Sequence, residues 1–121
     1  MEATFVSGNP RYIDHTPVGA IAAGEVVILE GIPYVAHCAI AAGVLGALAA
    51  EGGVYDLLKD GTSGPDINEG ESVAWIESTN LASDVITGNV HFGTAVADAG
   101  VSAALVRALH RPILDATNET T

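Results

Sequence analysis

Histidine and cysteine are the side chains of this chain best suited to metal binding or proton transfer. The histidines are His15, His37, His91 and His110, and Cys38 is the single cysteine. No two histidines lie at a spacing typical of a metal site, and the chain has no His-Glu-x-x-His motif. His37 and Cys38 are adjacent, but adjacent strand residues point to opposite faces. We therefore expect four unrelated histidines at surface or half-buried positions, and no catalytic or metal-binding residue among them.

Carboxylates are concentrated around one polar loop. The carboxylate and amide side chains there are Asp56, Asp60, Asp66, Asn68, Glu69 and Glu71. A hard cation needs several oxygens that converge on one point, and Leu58 interrupts the alternate spacing of an EF-hand loop. Paired carboxylates for glycoside hydrolysis are equally unsupported, because no aromatic sugar platform accompanies them. A solvated acidic loop is the preferred interpretation, and a small metal-dependent hydrolase is the less favoured alternative.

The glycines do not form a nucleotide-binding motif. The run Gly61-Thr62-Ser63-Gly64 is not followed by the Lys-Ser or Lys-Thr of a phosphate loop, and Gly43 and Gly46 do not match Gly-x-Gly-x-x-Gly. The Gly-x-Ser-x-Gly elbow of the α/β-hydrolases is also missing. We predict no cofactor and no enzymatic activity.

The charge of the chain restricts its partners. There are 15 acidic residues against 4 basic ones, which gives a net charge of -11. Such a surface repels phosphate backbones and anionic lipids, so we expect neither nucleic acid nor a membrane as partner. Lys59 is the only lysine. This depletion is typical of proteins adapted to high salt, and also of ordinary acidic proteins from GC-rich genomes.

The length of 121 residues is sufficient for one compact domain. We predict an extended N-terminal arm at residues 1–10, a single β-rich domain at residues 11–112 and a polar C-terminal tail at residues 113–121. The N-terminus lacks the basic and apolar regions of a signal peptide. The most apolar stretch is too short to span a bilayer.

A short pattern recurs along the chain and predicts its fold. A branched apolar residue, two small or polar residues and a glycine begin at Ile21, at Ile40 and at Ile67, and a weaker copy covers residues 96–101. Each copy leads into a new run rich in valine or leucine. Glycine reaches positive φ without a Cβ penalty, so it suits a tight reversal between extended segments. The pattern predicts strand, turn and strand, repeated.

Alternating and β-branched runs predict most of the strands. The predicted strands are 11–15 at a sheet edge, 25–29, 32–36, 54–57, 72–77 and 90–97, with a polar connection at 78–83. Residues 39–50 and 101–110 are compatible with helix or strand, and we favour strands because each contains or follows the turn pattern. Many short strands at regular spacing indicate an all-β fold, either a small β-barrel or a β-sandwich.

Aromatic side chains are few, at 5% of the chain. We expect Trp75 and Tyr55 to fill gaps in a core of small residues. Phe5 and Tyr12 lie in or beside the predicted arm, which makes them candidates for anchors on a partner surface.

Six motifs follow one another in a recognisable order. They are Tyr12-Ile13-Asp14-His15-Thr16-Pro17, residues 19–27, Ile40-Ala41-Ala42-Gly43, Gly53-Val54-Tyr55-Asp56-Leu57, Gly70-Glu71-Ser72-Val73-Ala74-Trp75 and Gly93-Thr94-Ala95-Val96-Ala97. In this order they resemble the capsid decoration, or cement, proteins of tailed viruses, long catalogued as a domain of unknown function. The resemblance covers residues 4–110. Leu58, where a proline is commoner, and the alanine-rich last segment depart from it.

The resemblance implies a small β-rich domain bound to the outer surface of an icosahedral capsid, often as a trimer at local three-fold positions. The implied partners are the major capsid protein and further copies of the chain, as a homotrimer. The candidate capsid-interface residues are Thr4, Phe5, Arg11 and Tyr12. Some family members carry a recombinase-like name, but this chain lacks the Walker A lysine of an ATPase. The alternative is a module on the virion that binds the host or a carbohydrate.

Overall fold

The computed structural model describes residues 2–61 and 65–112. Within these ranges the protein is all-β, with two antiparallel sheets and no helix, which confirms the predicted fold class. No helix long and apolar enough to cross a membrane was found in them. The predicted tail at 113–121 and part of the acidic loop, residues 62–64, lie outside the described residues.

The described chain forms ten short strands. In chain order they are β1 (Ala3–Ser7), β2 (Arg11–His15), β3 (Val26–Leu29), β4 (Ile32–Val35), β5 (Gly46–Glu51), β6 (Val54–Leu58), β7 (Ser72–Ile76), β8 (Leu81–Ser83), β9 (Val90–Ala95) and β10 (Leu105–His110). The larger sheet has the strand order β1-β6-β10-β9-β7-β8, and the smaller has the order β2-β5-β4-β3. A parallel bridge joins Lys59 to Ala82. Because Lys59 directly follows β6, the larger sheet curls back on itself toward a barrel.

The main core lies where β4 of the smaller sheet packs against β9 of the larger one. Trp75, Tyr55 and Phe92 are its largest side chains and are fully buried. Val26, Val35 and Ala49 contribute from the smaller sheet. Trp75 and Tyr55 therefore take the core positions predicted for them.

A second, smaller core lies on the other face of the four-stranded sheet. It consists of Ile21, Ala36, Ile40 and Leu48, with Val27, Leu29 and Tyr34 packed against it. The loops that precede β3 and β5 cover it, since Ile21 and Ile40 belong to those loops. Both sides of this sheet therefore bury apolar side chains.

The three strong copies of the repeated pattern form the same turn. Their glycines, Gly24, Gly43 and Gly70, have φ values of 82°, 76° and 93°. In the first copy the Glu25 N–H donates to the Ala22 carbonyl over 3.1 Å. A glycine with positive φ at the third position is the requirement of a type II turn. The prediction of strand reversals at these glycines is confirmed.

The copies also pair with one another. Ile21 and Ile40 exchange two backbone hydrogen bonds of 2.8 and 2.9 Å, and Ile67 and Ala99 exchange two of 2.9 and 2.7 Å. Gly100 lacks the positive φ of the other three. In the fourth copy the bridging residue is Ala99, directly before Gly100. The turn begins at Gly100, whose carbonyl accepts from the Ala103 N–H over 3.0 Å. The fourth copy is therefore a bridge partner with a different turn.

The predicted N-terminal arm is not confirmed. Residues 3–7 form β1, which pairs antiparallel with β6. The Ala3 N–H donates to the Gly24 carbonyl over 2.9 Å, and a Glu2 carboxylate oxygen accepts from the Val26 N–H over 2.8 Å. The N-terminal residues therefore contact both sheets. A short polar segment carries no sign of such long-range pairing, since the pairing partner lies some fifty residues away.

Three strand predictions need correction at their bounds. The strand expected in 39–50 is confined to β5, because Ile40 bridges to Ile21 and a turn follows. The closing strand expected in 101–110 begins only at β10. The polar connection at 78–83 contains β8, whose Ala82 is buried. The strand at 11–15 is β2 and lies at a sheet edge, as predicted.

Gly93 generates a prediction about stability. A methyl group there would overlap the carbonyl oxygen of Leu109, because β9 and β10 approach closely at this point. We expect Gly93→Ala to lower the free energy of unfolding by about 3 kcal/mol, as overpacking against backbone does. Urea denaturation followed by tryptophan fluorescence measures it. Gly19→Ala is the control, since a methyl group there meets nothing within 4 Å, and its effect should stay within about 0.5 kcal/mol.

Candidate functional site

Two of the four candidate interface residues come together in the structure. Phe5 lies on β1 of the larger sheet and Tyr12 on β2 of the smaller sheet, and they are 41% and 51% exposed. Both rings contact the imidazole of His37, with centroid distances of 4.9 Å for Phe5 and 5.4 Å for Tyr12. We call Phe5, Tyr12 and His37 the aromatic edge. It joins the two sheets at the surface.

His37 holds the aromatic edge in place through both ring nitrogens. Nδ1 lies 3.3 Å from the Tyr12 hydroxyl, and Nε2 lies 2.6 Å from the Tyr55 hydroxyl. A neutral imidazole offers one donor and one acceptor, which two hydroxyl groups can satisfy together. Burial lowers the pKa of His37, which favours this neutral form. The ring therefore ties an exposed tyrosine to a buried one.

Tyr55 continues the aromatic row into the core. Its ring packs edge-on against Phe5, Phe92 and His110, with centroid distances of 5.5, 6.2 and 5.8 Å. Burial, with a smaller effect of Tyr12, raises the pKa of Tyr55, so the phenol stays protonated. Edge-to-face packing of this kind adds to the free energy of burying each ring. The exposed rings thus rest on a rigid support.

His110 ends the row and links β10 to β4. Its ring stacks on Phe92 at 4.6 Å, and its Nε2 lies 2.8 Å from the Pro33 carbonyl oxygen. Because a carbonyl oxygen only accepts, Nε2 carries the proton and Nδ1 is left buried without a partner. His110 is fully buried, which corrects the expectation that all four histidines are at the surface or half-buried.

Thr4 and Arg11 lie outside the aromatic edge. Thr4 is opposite Asp56 on β6, and Asp56 forms an ion pair of 2.9 Å with Arg107 on β10. Since neighbouring strand residues point to opposite faces, Thr4 and Phe5 face different ways. Arg11 is opposite Glu51 at an irregularity in the β2–β5 pairing. The structure therefore brings Phe5 and Tyr12 together at His37, and Thr4 reaches only the lining of the crevice beside them.

β2 is an unprotected edge strand. Four of its five residues are exposed. Because successive strand residues point to opposite faces, Tyr12 and Ile13 expose apolar surface on both faces of the strand. Its outer edge makes no backbone hydrogen bond to any other described residue. The other edge strands are each covered at one point, β1 by Gly24, β3 by Glu2 and β8 by Lys59. Free edges of this kind accept a further strand.

The arrangement provides a surface suited to binding. Both ring nitrogens of the neutral His37 are occupied by hydroxyl groups. A crevice of about 240 Å³ beside it is lined by Thr4, Phe5 and Tyr55, among others. Among residues 2–61 and 65–112, no three metal-binding side chains come close enough to hold an ion. What the site offers is a rigid aromatic surface beside a free strand edge.

Sequence reasoning did not identify His37 as part of the site. Its signal is absent from the local sequence, because its partners lie 18 and 25 positions away along the chain. His110 did carry a signal. On β10 the buried positions alternate through Val106, Ala108 and His110, so the period of two assigns His110 to the core face.

Comparison with known proteins gives one match. A family model described as "Phage cement protein" matches residues 6–110, most of the chain. No curated protein sequence and no solved structure matches the chain.

The buried end of the aromatic row predicts a pH dependence of stability. Burial lowers the pKa of His110 from 6.5 to about 4, and a protonated Nδ1 would have no acceptor. Between these values the unfolded chain binds more protons, so stability is lost as pH falls from 6.5 toward 4. At about 1.36 kcal/mol per pKa unit, the loss is about 3 kcal/mol.

The measurement is the free energy of unfolding at pH 7 and at pH 4, for the wild type and His110→Phe. We expect the wild type to lose about 3 kcal/mol more than the variant. The wild type and the variant contain the same carboxylates, so the effect of carboxylate titration on stability cancels in the difference between them. His15→Phe, at a half-buried site on β2, should retain the wild-type difference. An equal pH dependence in all three proteins would show that His110 is not the group responsible.

Proposed function

The chain belongs to the phage cement protein family, and from this premise we propose that it binds the exterior of an icosahedral capsid and stabilises contacts between major capsid protein subunits. The family is one of structural virion proteins associated with the capsid. The observation that carries the proposal is the match of this family over residues 6–110. The lack of a catalytic arrangement among the described residues is consistent with a structural role.

The aromatic edge is the proposed contact with the capsid. Aromatic side chains dominate the binding energy of protein interfaces, and side chains held rigid before binding lose less entropy on association. Phe5 and Tyr12 have both properties, because they are exposed and because His37 and Tyr55 support them from below. Ring contacts from two different sheets would make this surface stiff.

The free edge of β2 is the second part of the proposed contact. An extended segment of a capsid subunit could pair with it along Arg11–His15 and gain backbone hydrogen bonds. A free N-terminal arm would instead have donated a strand to a neighbouring capsid subunit. Residues 3–7 are already paired within the domain, so the protein is the acceptor of a strand instead of the donor.

We propose further that the protein acts as a homotrimer. An oligomer that touches several capsid subunits at once gains avidity, so weak individual contacts sum to a stable attachment. With a net charge of -11, the surface that faces solvent would keep particles apart and soluble. These properties together would let a small domain stabilise a large shell.

The direct test of location is cryo-electron microscopy of heads assembled with and without this protein. The expected difference is extra density on the outside of the shell at symmetric positions between capsid subunits. Density inside the shell, or no bound density at all, would contradict the proposal.

The proposed contact predicts how substitutions affect binding. We expect Tyr12→Ala and Phe5→Ala each to weaken binding to heads that lack the protein by about tenfold or more, as loss of an aromatic anchor does. Co-sedimentation with such heads over a range of concentrations gives the dissociation constants.

Leu105→Ala is the matched control, because Leu105 is also a large apolar side chain, 45% exposed, and lies on β10 away from the aromatic edge. Its binding should stay within about threefold of wild type, since substitutions outside an interface cost little. Thermal unfolding of each variant checks that it remains folded. Wild-type binding by folded Tyr12→Ala and Phe5→Ala would refute the aromatic edge as the contact.

A further inference from the structure

Charged residues are unevenly distributed along this acidic chain. Residues 15–50 contain only two of the nineteen charged residues, Glu25 and Glu30, and residues 31–50 contain none. The other seventeen lie in the remaining 85 residues. Residues 15–50 include β3, β4, most of β5 and the two loops that cover the smaller core. This stretch of an otherwise acidic chain is therefore almost uncharged, and Asp14, opposite Ala47 in the β2–β5 pairing, lies at its border.

Large apolar side chains are exposed in this region. Val18 is 99% exposed, Val44 51% and Leu45 65%, which are high values for large apolar side chains. The two loops that carry them lie together, because the Gly43 N–H donates to the Pro17 carbonyl over 2.8 Å and Ile21 pairs with Ile40. We call Val18, Val44 and Leu45 the apolar tip. Exposed apolar groups that cluster in this way mark interaction surfaces.

A groove of about 480 Å³ adjoins the apolar tip. Its lining includes Val44, Leu45, Ile40 and Ala47, and Tyr12 and His37. Grooves of this volume accommodate several apolar side chains. The tip and the groove are adjacent on one surface. The apolar tip of one molecule could therefore insert into the groove of another.

We infer that the apolar tip and its groove are the surface through which copies of this chain associate with one another. The charge distribution identifies the occupant as a second copy. Two molecules that each carry a charge of -11 repel, and contact through acidic faces would bring like charges together in a poorly solvated interface. The nearly uncharged region is where two copies can approach without this penalty. A capsid subunit that is not acidic would not be repelled, so it could bind the acidic faces as well.

The inference rests on the proposed function, because it assigns the contacts of the proposed homotrimer to one face of the protein. The groove shares Tyr12 and His37 with the aromatic edge, so the variants that test self-association are placed at valines outside that edge. Self-association is measured on the isolated protein, with no capsid present. Capsid attachment through the aromatic edge is measured by co-sedimentation with heads, as above.

The test is sedimentation velocity of the wild type and two matched valine variants over a range of concentrations. Val44→Glu puts a carboxylate in the apolar tip, whereas Val85→Glu adds the same charge at a valine that is 55% exposed outside it. We expect wild-type oligomers, at least about tenfold weaker association for Val44→Glu, and association within about threefold of wild type for Val85→Glu. High salt should strengthen wild-type association, because it screens repulsion between the acidic remainders.

Several results would overturn the inference. One is a wild-type protein that stays monomeric at every concentration and salt level, and another is equal weakening by Val44→Glu and Val85→Glu. Loss of head binding by Val44→Glu from a monomeric wild type would assign the apolar tip to the capsid instead. Circular dichroism of both variants establishes that they are folded; should Val44→Glu unfold, Leu45→Ser provides the same comparison with a side chain that is 65% exposed.

Discussion

The buried ring of Tyr55 is the contact on which the rest of the structure depends. The core is built largely from alanine and valine, which fill little space, so the few large rings determine how the two sheets meet. Tyr55 contacts Phe92 and His110 on the core side and Phe5 and His37 toward the surface. Its hydroxyl, 2.6 Å from His37, couples the interior to the exposed Tyr12. Packing of the sheets and rigidity of the aromatic edge therefore have one origin.

The surface divides into regions of different character. The aromatic edge and the free edge of β2 combine rigid rings with unpaired backbone, the apolar tip is almost without charge, and the remaining surface is acidic. A protein that stabilises an assembly needs such a division, because each contact must exclude the wrong partner as well as bind the right one. Acidic faces repel further copies, and the uncharged and aromatic faces allow approach.

Local sequence was a good guide where structure is local. The turns at Gly24, Gly43 and Gly70 follow from glycine's access to positive φ, and the hairpin of β3 and β4 follows from two β-branched runs around Glu30-Gly31. It failed where the partner is remote. β1 was expected to be an arm because nothing nearby pairs with it. β8 was missed because it has only three residues and its buried Ala82 bridges to the remote Lys59. For the candidate site, the sequence predicted Phe5 and Tyr12 but did not predict His37.

By itself the sequence determined the fold class, the three turns at Gly24, Gly43 and Gly70, the acidic character and, through the order of its motifs, the family. These depend on properties that single residues or short runs possess independently of their surroundings. Only the tertiary structure decided that Phe5 and Tyr12 meet at His37, that Arg11 does not join them, and that the loops of Val18 and Val44 lie together. Strand pairing over long sequence separations creates these contacts, and the residues involved give no local sign of which partner they will find.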